Sequence, residues 1–385
     1  MTPSRGITVS VESIFPFGRP VRSDDIVDRH EFLAEIQQRL SDGHSLMLPG
    51  PRRIGKSSVA HEVLRRMRDL GTYTASVDLF YVTGIDEFAA KLMKAVLENR
   101  TGVLEQAVRA MRGLRALIGQ AEIRAKIHDL ELGLSWGRDE TDPLEQLEMA
   151  VSLAENIAQR DKRRMVILLD EFQEMERLGG QALLQRLRAL FQQQTHTVYL
   201  FLGSQTTLMQ TIFADRRQAF YRFATMMELP PVPVGAWREY LSKRYGESRM
   251  QLTGPAFRLM MDRTGGHPYC LMAVAYNAHL HGNLHQLTTI TADVVDYAYE
   301  RAMQHLQSIY DVQWQELHRF RHADTVFAAL VDGVAPYSLS LPGSIVTKAL
   351  QNLMRLSVIV KGEGRGEYRL VEPMLGDWFR RQQGS

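Results

Sequence analysis

Gly50-Pro51-Arg52-Arg53-Ile54-Gly55-Lys56-Ser57 matches the pattern G-x-x-x-x-G-K-[ST] at every fixed position. The residues before it, Ser45 to Leu48, read as a short strand, and those after it place Val59, Val63, Leu64, Met67 and Leu70 at helical spacing. Strand, glycine loop and helix together form the setting in which this pattern cradles phosphates. Glycines let the backbone curl so that its N–H groups point inward, and the following helix sets its positive dipole end beneath them. In that setting Lys56 reaches the β- and γ-phosphates of a nucleotide, and the Ser57 hydroxyl completes the shell of a Mg²⁺ ion. The stretch therefore predicts an α/β fold on a parallel sheet.

A nucleotide-hydrolysing site also needs a metal-orienting carboxylate and a group that activates water. Met165-Val166-Ile167-Leu168-Leu169-Asp170-Glu171 is an apolar run with an acidic end, the pattern of a buried parallel strand that delivers its last side chains to the C-terminal sheet edge. Asp170 is placed to hold Mg²⁺ through water, and Glu171 to act as general base. A second strand, Thr197 to Leu202, finishes in Gly203-Ser204-Gln205. Ser204 or Gln205 either senses the γ-phosphate or caps the next helix.

Other elements follow from spacing. A first helix carries Phe32, Leu33, Ile36 and Leu40 behind a cap at Asp28, and Tyr73 to Phe80 reads as a strand. Thr83 and Asp86 have capping-box spacing ahead of a helix with Phe88, Leu92 and Val96. Residues 103–118 predict a helix whose Arg109, Arg112 and Arg115 form a basic face, and Leu130, Leu132, Leu134 and Trp136 alternate as in a strand. Asp142-Pro143 with Glu145 marks another helix start, and residues 181–194 predict a helix between the two apolar strands.

The 385 residues suffice for two or three domains, and 45% hydrophobic with 23% charged residues excludes a disordered or collagenous chain. A formal net charge of +2 is too small to make the whole protein a polyanion binder, so any nucleic-acid contact must come from a local patch. The single cysteine, Cys270, cannot form an internal bridge and reads as a buried small hydrophobe in a reducing compartment. The apolar runs are shorter than the roughly 20 residues of a membrane span, and the N-terminus has no continuous apolar block. The expectation is a soluble, cytoplasmic protein with no membrane partner. The histidines are scattered without metal-site spacing, and no acceptor-substrate constellation of a small-molecule kinase is visible.

Character changes at Leu229-Pro230-Pro231-Val232-Pro233. Beyond it the spacing predicts helices over 236–245, 255–263, 269–280 and 292–306. From Phe320 the pattern becomes helix, turn, helix and two short strands, Val358 to Lys361 and Tyr368 to Val371, which is the outline of a winged helix. Its candidate recognition helix, Ile345 to Leu356, carries Lys348 and Arg355, and the wing adds Lys361 and Arg365 as candidate DNA contacts. Residues 316–385 hold nine Lys/Arg against seven Asp/Glu, a thin surplus for a phosphate-neutralising surface, so docking on double-stranded DNA and docking on protein both stay open.

The phosphate loop, Leu169-Asp170-Glu171-Phe172-Gln173, Gly203-Ser204-Gln205 and Thr264-Gly265-Gly266-His267-Pro268-Tyr269 together resemble the archaeal-type ATPases of the STAND class of AAA+-related P-loop NTPases. The resemblance covers roughly residues 14 to 380. It implies an ASCE/AAA+-like parallel sheet with a helical lid and a C-terminal winged helix. The corresponding organisation is an irregular arm over 1–25, a P-loop ATPase core over 26–234, a lid over 235–312 and a winged-helix domain over 313–385. It also implies ATP/ADP with Mg²⁺ as ligands, adenine rather than guanine since no Asn-Lys-x-Asp tetrapeptide is present, and slow, partner-stimulated hydrolysis.

Nucleotide contacts implied by the resemblance run from Gly50 through Ser58, with Asp28-Arg29 near the base and His267-Pro268 matching the G-x-P element of a lid helix. Arg222 aligns with the family's γ-phosphate-sensing arginine, although Tyr221 replaces the usual glycine and Arg216 or Arg217 can take its place. Two functions follow as expectations. One is an ATP-driven switch reporting to DNA, a protein effector or further copies of the chain; the other is a low-turnover nucleotide-holding scaffold.

Overall fold

The computed structural model describes residues 13–98, 142–362, 364 and 366–383. The helix expected over 103–118 with Arg109, Arg112 and Arg115, the strand expected at 130–136, and Arg365 lie outside the described residues. The chain divides into two compact units. One comprises His30–Gly50 and Val59–Leu229; the other takes the described residues of Met1–Arg29, Pro51–Ser58 and Pro230–Ser385.

The first unit alternates strands and helices: α1 (His30–Ser41), β1 (Leu46–Pro49), α2 (Lys56–Asp69), β2 (Tyr73–Asp78), α3 (Ile85–Glu98), α4 (Pro143–Asp161), β3 (Met165–Asp170), α5 (Glu174–Phe191), β4 (Thr197–Gly203), α6 (Thr206–Ala214) and β5 (Thr225–Met226). The five strands are all parallel in the order β2-β3-β4-β1-β5. β4 is buried along its whole length and β3 along all but its last residue, because helices cover both faces of such a sheet. The register pairs Leu169 with Phe201 and Pro49 with Gly203, so β3, β4 and β1 end at one edge.

Local chemistry sets most boundaries. The Asp142 carboxylate accepts from the Leu144 N–H at 3.0 Å with Pro143 in the first turn, and α4 stops where Lys162 turns left-handed at φ 52°. At Thr83 the reciprocal partner is Glu87 rather than Asp86: both the N–H and the hydroxyl of Thr83 donate to Glu87 Oε2, at 2.8 and 2.7 Å. Asp28, expected to cap α1, instead takes φ 51° ahead of it. The helix expected from residue 181 begins at Glu174. Gly180, with φ 58° and ψ −153°, kinks it, and that glycine is what the sequence presents as a start.

Glu155 ties α4 to the start of β4. Its carboxylate accepts from the N–H groups of Thr195, His196 and Thr197 at 2.9, 3.0 and 2.9 Å. Burial alone would raise its pKa, but these bonds carry it down to about 2. Glu155→Ala strands three donors at the sheet edge and is expected to lower the unfolding free energy by about 3 kcal/mol, measured by denaturant titration.

The second unit is mainly helical: α7 (Val234–Glu247), α8 (Gly254–Thr264), α9 (Pro268–Leu284), α10 (Ala292–His318), α11 (Ala323–Val331), α12 (Gly343–Arg355) and α13 (Pro373–Gln383). The parallel pair β6 (Gln251–Leu252) and β7 (Thr289–Ile290) and the antiparallel hairpin β8 (Ile359–Lys361) and β9 (Tyr368–Leu370) complete it. The helix expected to end at Leu306 runs on to His318, because Tyr310 and Leu317 continue its buried stripe, so residues 312 and 313 both lie inside it. The described part of the arm, from residue 13, packs on this unit. Phe15 is fully buried with its ring centre 4.7 Å from that of Tyr245, Phe17 packs near Tyr269 and Tyr276, and Tyr240 donates to Asp25 Oδ1 at 2.6 Å. Among the described residues, no helix is long and apolar enough to cross a membrane.

Candidate functional site

At the C-terminal edge of the sheet, β3 ends in Asp170, whose Oδ1 accepts from the Glu171 N–H at 2.9 Å. Glu171 adopts φ 54°, a left-handed backbone that turns the chain sharply off the strand. Its Oε2 receives three donors: the Ser204 N–H at 3.1 Å, the Ser204 hydroxyl at 2.8 Å and the Gln173 side-chain amide. None of the three uses Oε1. Of the two candidates at the end of β4, Ser204 is therefore the one joined to Glu171. Gln205 stands at the N-cap of α6 without a side-chain capping bond. Gln173 closes the stretch Leu169-Asp170-Glu171-Phe172-Gln173 that carries the resemblance but was given no role of its own; it is 3% exposed, and its Oε1 has no partner. A Cβ at Gly203 would press on the Met209 side chain, 2.3 Å away, and on that oxygen, 2.6 Å away.

The phosphate loop passes through a turn at Arg52-Arg53 and bends at Ile54-Gly55 into the first turn of α2, which holds Lys56, Ser57 and Ser58. Gly55 has φ 100°, a conformation that favours glycine, and Arg53 has φ 67°. Lys56 is 6% exposed and donates from Nζ to the Pro51 carbonyl at 2.6 Å, which folds its ammonium back over the loop. Buried Arg29 donates to the Ile54 carbonyl at 3.4 Å, and burial lowers its pKa to about 10 against the pull of Asp28. The Ser58 hydroxyl accepts from the Val21 N–H at 3.1 Å, so that side chain serves the arm.

Sequence comparison matches residues 26–274 to the model of an ATPase domain found predominantly in Archaea. The chain belongs to this ATPase family. A search of curated protein sequences returns no match. Among solved structures, the Walker-type ATPase of Pyrococcus abyssi is 16% identical, matches over 96% of this chain and 100% of its own, and superposes with a TM-score of 0.67. The ORC2 protein of Aeropyrum pernix, in its ADPNP–ADP complexes, is 14% identical over 97% of this chain and 98% of its own, with a TM-score of 0.60. These likenesses show the fold of this ATPase, that of the AAA+-type P-loop ATPases.

Arg222 stands elsewhere. It lines a cavity of about 540 Å³ with His44, Ser45, Arg188 and Thr197, in front of the strand N-termini, and its guanidinium carbon lies 5.2 Å from the Tyr221 ring centre. Because the strands are parallel, that edge is a strand's length away from Asp170 and Ser204. The expected role as γ-phosphate sensor on its own chain's nucleotide does not fit this position. The alternative Arg217 is highly exposed and paired with Asp215 at 2.8 Å.

In the helical unit His267 occupies the N-cap of α9, with Pro268 in the first turn. The ring is 7% exposed and lies against the Arg52 backbone of the phosphate loop. Burial lowers its pKa to about 4; the Arg53 charge adds to this and the Arg52 backbone opposes it. Folded His267 is thus neutral where the unfolded chain binds a proton, so stability rises with pH between about 4 and 6.5. Acidifying across that window is expected to cost the wild type about 3 kcal/mol more than His267→Gln, read from urea unfolding at each pH.

In the C-terminal segment Lys348, Arg355 and Lys361 are all exposed, on α12 and β8. Arg369 is paired with Glu367 at 2.7 Å, so it adds little to any basic surface. Cys270 is fully buried, as its lone occurrence suggested.

Proposed function

We propose that the chain binds and hydrolyses ATP as a STAND-type molecular switch, in which the nucleotide state of the P-loop is reported by the lid helices and a C-terminal winged helix to DNA or to a protein partner. One observation carries this reading. β1 and β3 flank β4, so the chain leaves β1 for the glycine loop at the same sheet edge where Asp170, Glu171 and Ser204 end their strands. That is the arrangement a triphosphate with its attacking water requires.

In this reading the loop N–H groups and Lys56 take the phosphate charge, and the Ser57 hydroxyl and Asp170 carboxylate hold Mg²⁺. Both are hard oxygen donors, the class that ion prefers. The ion supplies neutralisation of the charge that builds on the phosphate oxygens. Glu171 accepts the proton of the attacking water, and Ser204 fixes the carboxylate so that Oε1 remains the basic oxygen. The helix pair α11 and α12 followed by the β8–β9 hairpin supports the winged-helix assignment, and the exposed Lys348, Arg355 and Lys361 are its candidate DNA contacts.

A second reading, a scaffold that holds nucleotide with little turnover, is favoured by the three donors already on Glu171. Phosphate release from Mg·ATP by the purified chain decides between the two. Turnover that disappears in Glu171→Gln supports the switch; no turnover, with or without DNA, supports the scaffold.

A further inference from the structure

Arg53, in the middle of the phosphate loop, is held by the far end of the chain. Its Nη1 lies 3.6 Å from Glu372 Oε1, an ion pair without a hydrogen bond, and Nη1 itself is buried with no hydrogen-bond partner. Glu372 is the residue before α13, and it is 6% exposed. Its other oxygen is engaged from below: Tyr310 donates to Oε2 at 3.2 Å from α10, and the Cys270 thiol points at the same oxygen at 3.9 Å from α9. The Arg53 guanidinium also lies over the Tyr269 ring, 4.4 Å from its centre. Three segments thus converge on one carboxylate, and the only cation paired with it comes, among the described residues, from the phosphate loop.

We propose that Glu372 is a nucleotide-sensing latch residue: its carboxylate stands in for phosphate on Arg53, and binding of a nucleoside triphosphate draws Arg53 away and releases the segment that begins at α13. The inference rests on the reading of the site as an ATP site and names the pair through which that site reports to the C-terminus. The physical case is a competition. An arginine fork prefers a phosphate, with two hydrogen bonds, to a carboxylate at 3.6 Å that gives it none. Burial already raises the Glu372 pKa against the pull of Arg53, and once abandoned the carboxylate has only a phenol and a thiol for company, so it either takes up a proton or leaves the site. Leaving carries the carboxylate toward solvent, and the start of α13 with it. The left-handed backbone at Arg53 marks a residue held by its surroundings rather than by its own preference.

The test is a double-mutant cycle on Mg·ATP affinity, measured by calorimetry on the full chain with Glu372→Gln, Arg53→Gln and the pair. Glu372→Gln keeps the shape and an acceptor for Tyr310 but removes the charge, and is expected to tighten Mg·ATP binding about tenfold by removing the competitor. Arg53→Gln is expected to weaken it, and in that background Glu372→Gln is expected to have no effect. Tyr310→Phe, which leaves the ion pair intact, serves as the variant that keeps the cluster folded and is expected to tighten binding by less. Unchanged or weaker affinity in Glu372→Gln, or the same effect with and without Arg53, overturns the latch while Lys56-dependent binding by wild type leaves the ATPase reading standing. Absence of Mg·ATP binding in wild type overturns both.

Discussion

Lys56→Ala is expected to weaken Mg·ATP binding by about 100-fold or more while the chain stays folded. The ammonium is 6% exposed and bent back onto the Pro51 carbonyl, so it stands inside the curl of the loop rather than out in solvent. A triphosphate that displaces that carbonyl gains a charge-assisted contact in a place shielded from water, where such contacts are strongest. Alanine removes this contact and leaves the Pro51 carbonyl without its ammonium donor. The thermal midpoint without nucleotide should therefore move little. Calorimetric titration reads the affinity, and wild-type affinity in Lys56→Ala would remove the loop from the account altogether.

The second large effect concerns the chemical step. Glu171→Gln is expected to lower turnover by about 100- to 10,000-fold, the range a positioned general base contributes, with Mg·ATP affinity retained. The substitution is close to isosteric, and an amide oxygen at the Oε2 position still accepts from the Ser204 N–H and hydroxyl. What disappears is the proton-accepting capacity of Oε1. A variant that binds Mg·ATP and does not release phosphate in single-turnover measurement fits the proposed role. Equal turnover in wild type and variant moves the base to another residue.

Most of the sheet could be read in advance, because its strands announce themselves. β3 is six apolar or acidic residues in a row, and the loop after β1 has a pattern that few other folds use. Asp170, Glu171, Lys56 and Ser204 were legible for the same reason: each stands at a fixed offset from a strand end. What escaped was contact between distant parts of the chain. Nothing around Phe15 and Asp25 says that they meet Tyr245 and Tyr240 more than 200 residues later. Glu372 sits between Leu370-Val371 and Pro373-Met374-Leu375 in the sequence, and its partnership with Arg53 exists only in three dimensions. Arg222 was placed by resemblance alone, and its position before β5, at the strand N-termini, sets it a strand's length from Asp170 and Ser204 of its own chain. The kink at Gly180 misled for a local reason, since a glycine pair reads equally well as a helix start and as a bend within one.

α10 has a mechanical consequence of its own. Its 27 unbroken residues make a rod about 40 Å long, and Tyr310, which touches Glu372, lies toward the far end from Ala292. A stiff rod converts small rotations into large displacements: a tilt of about 10° at one tip sweeps the other by about 7 Å. Tyr310 stands about 12 Å from the His318 tip, so a shift of about 1 Å beside the carboxylate, pivoting on that tip, becomes about 3 Å at Ala292.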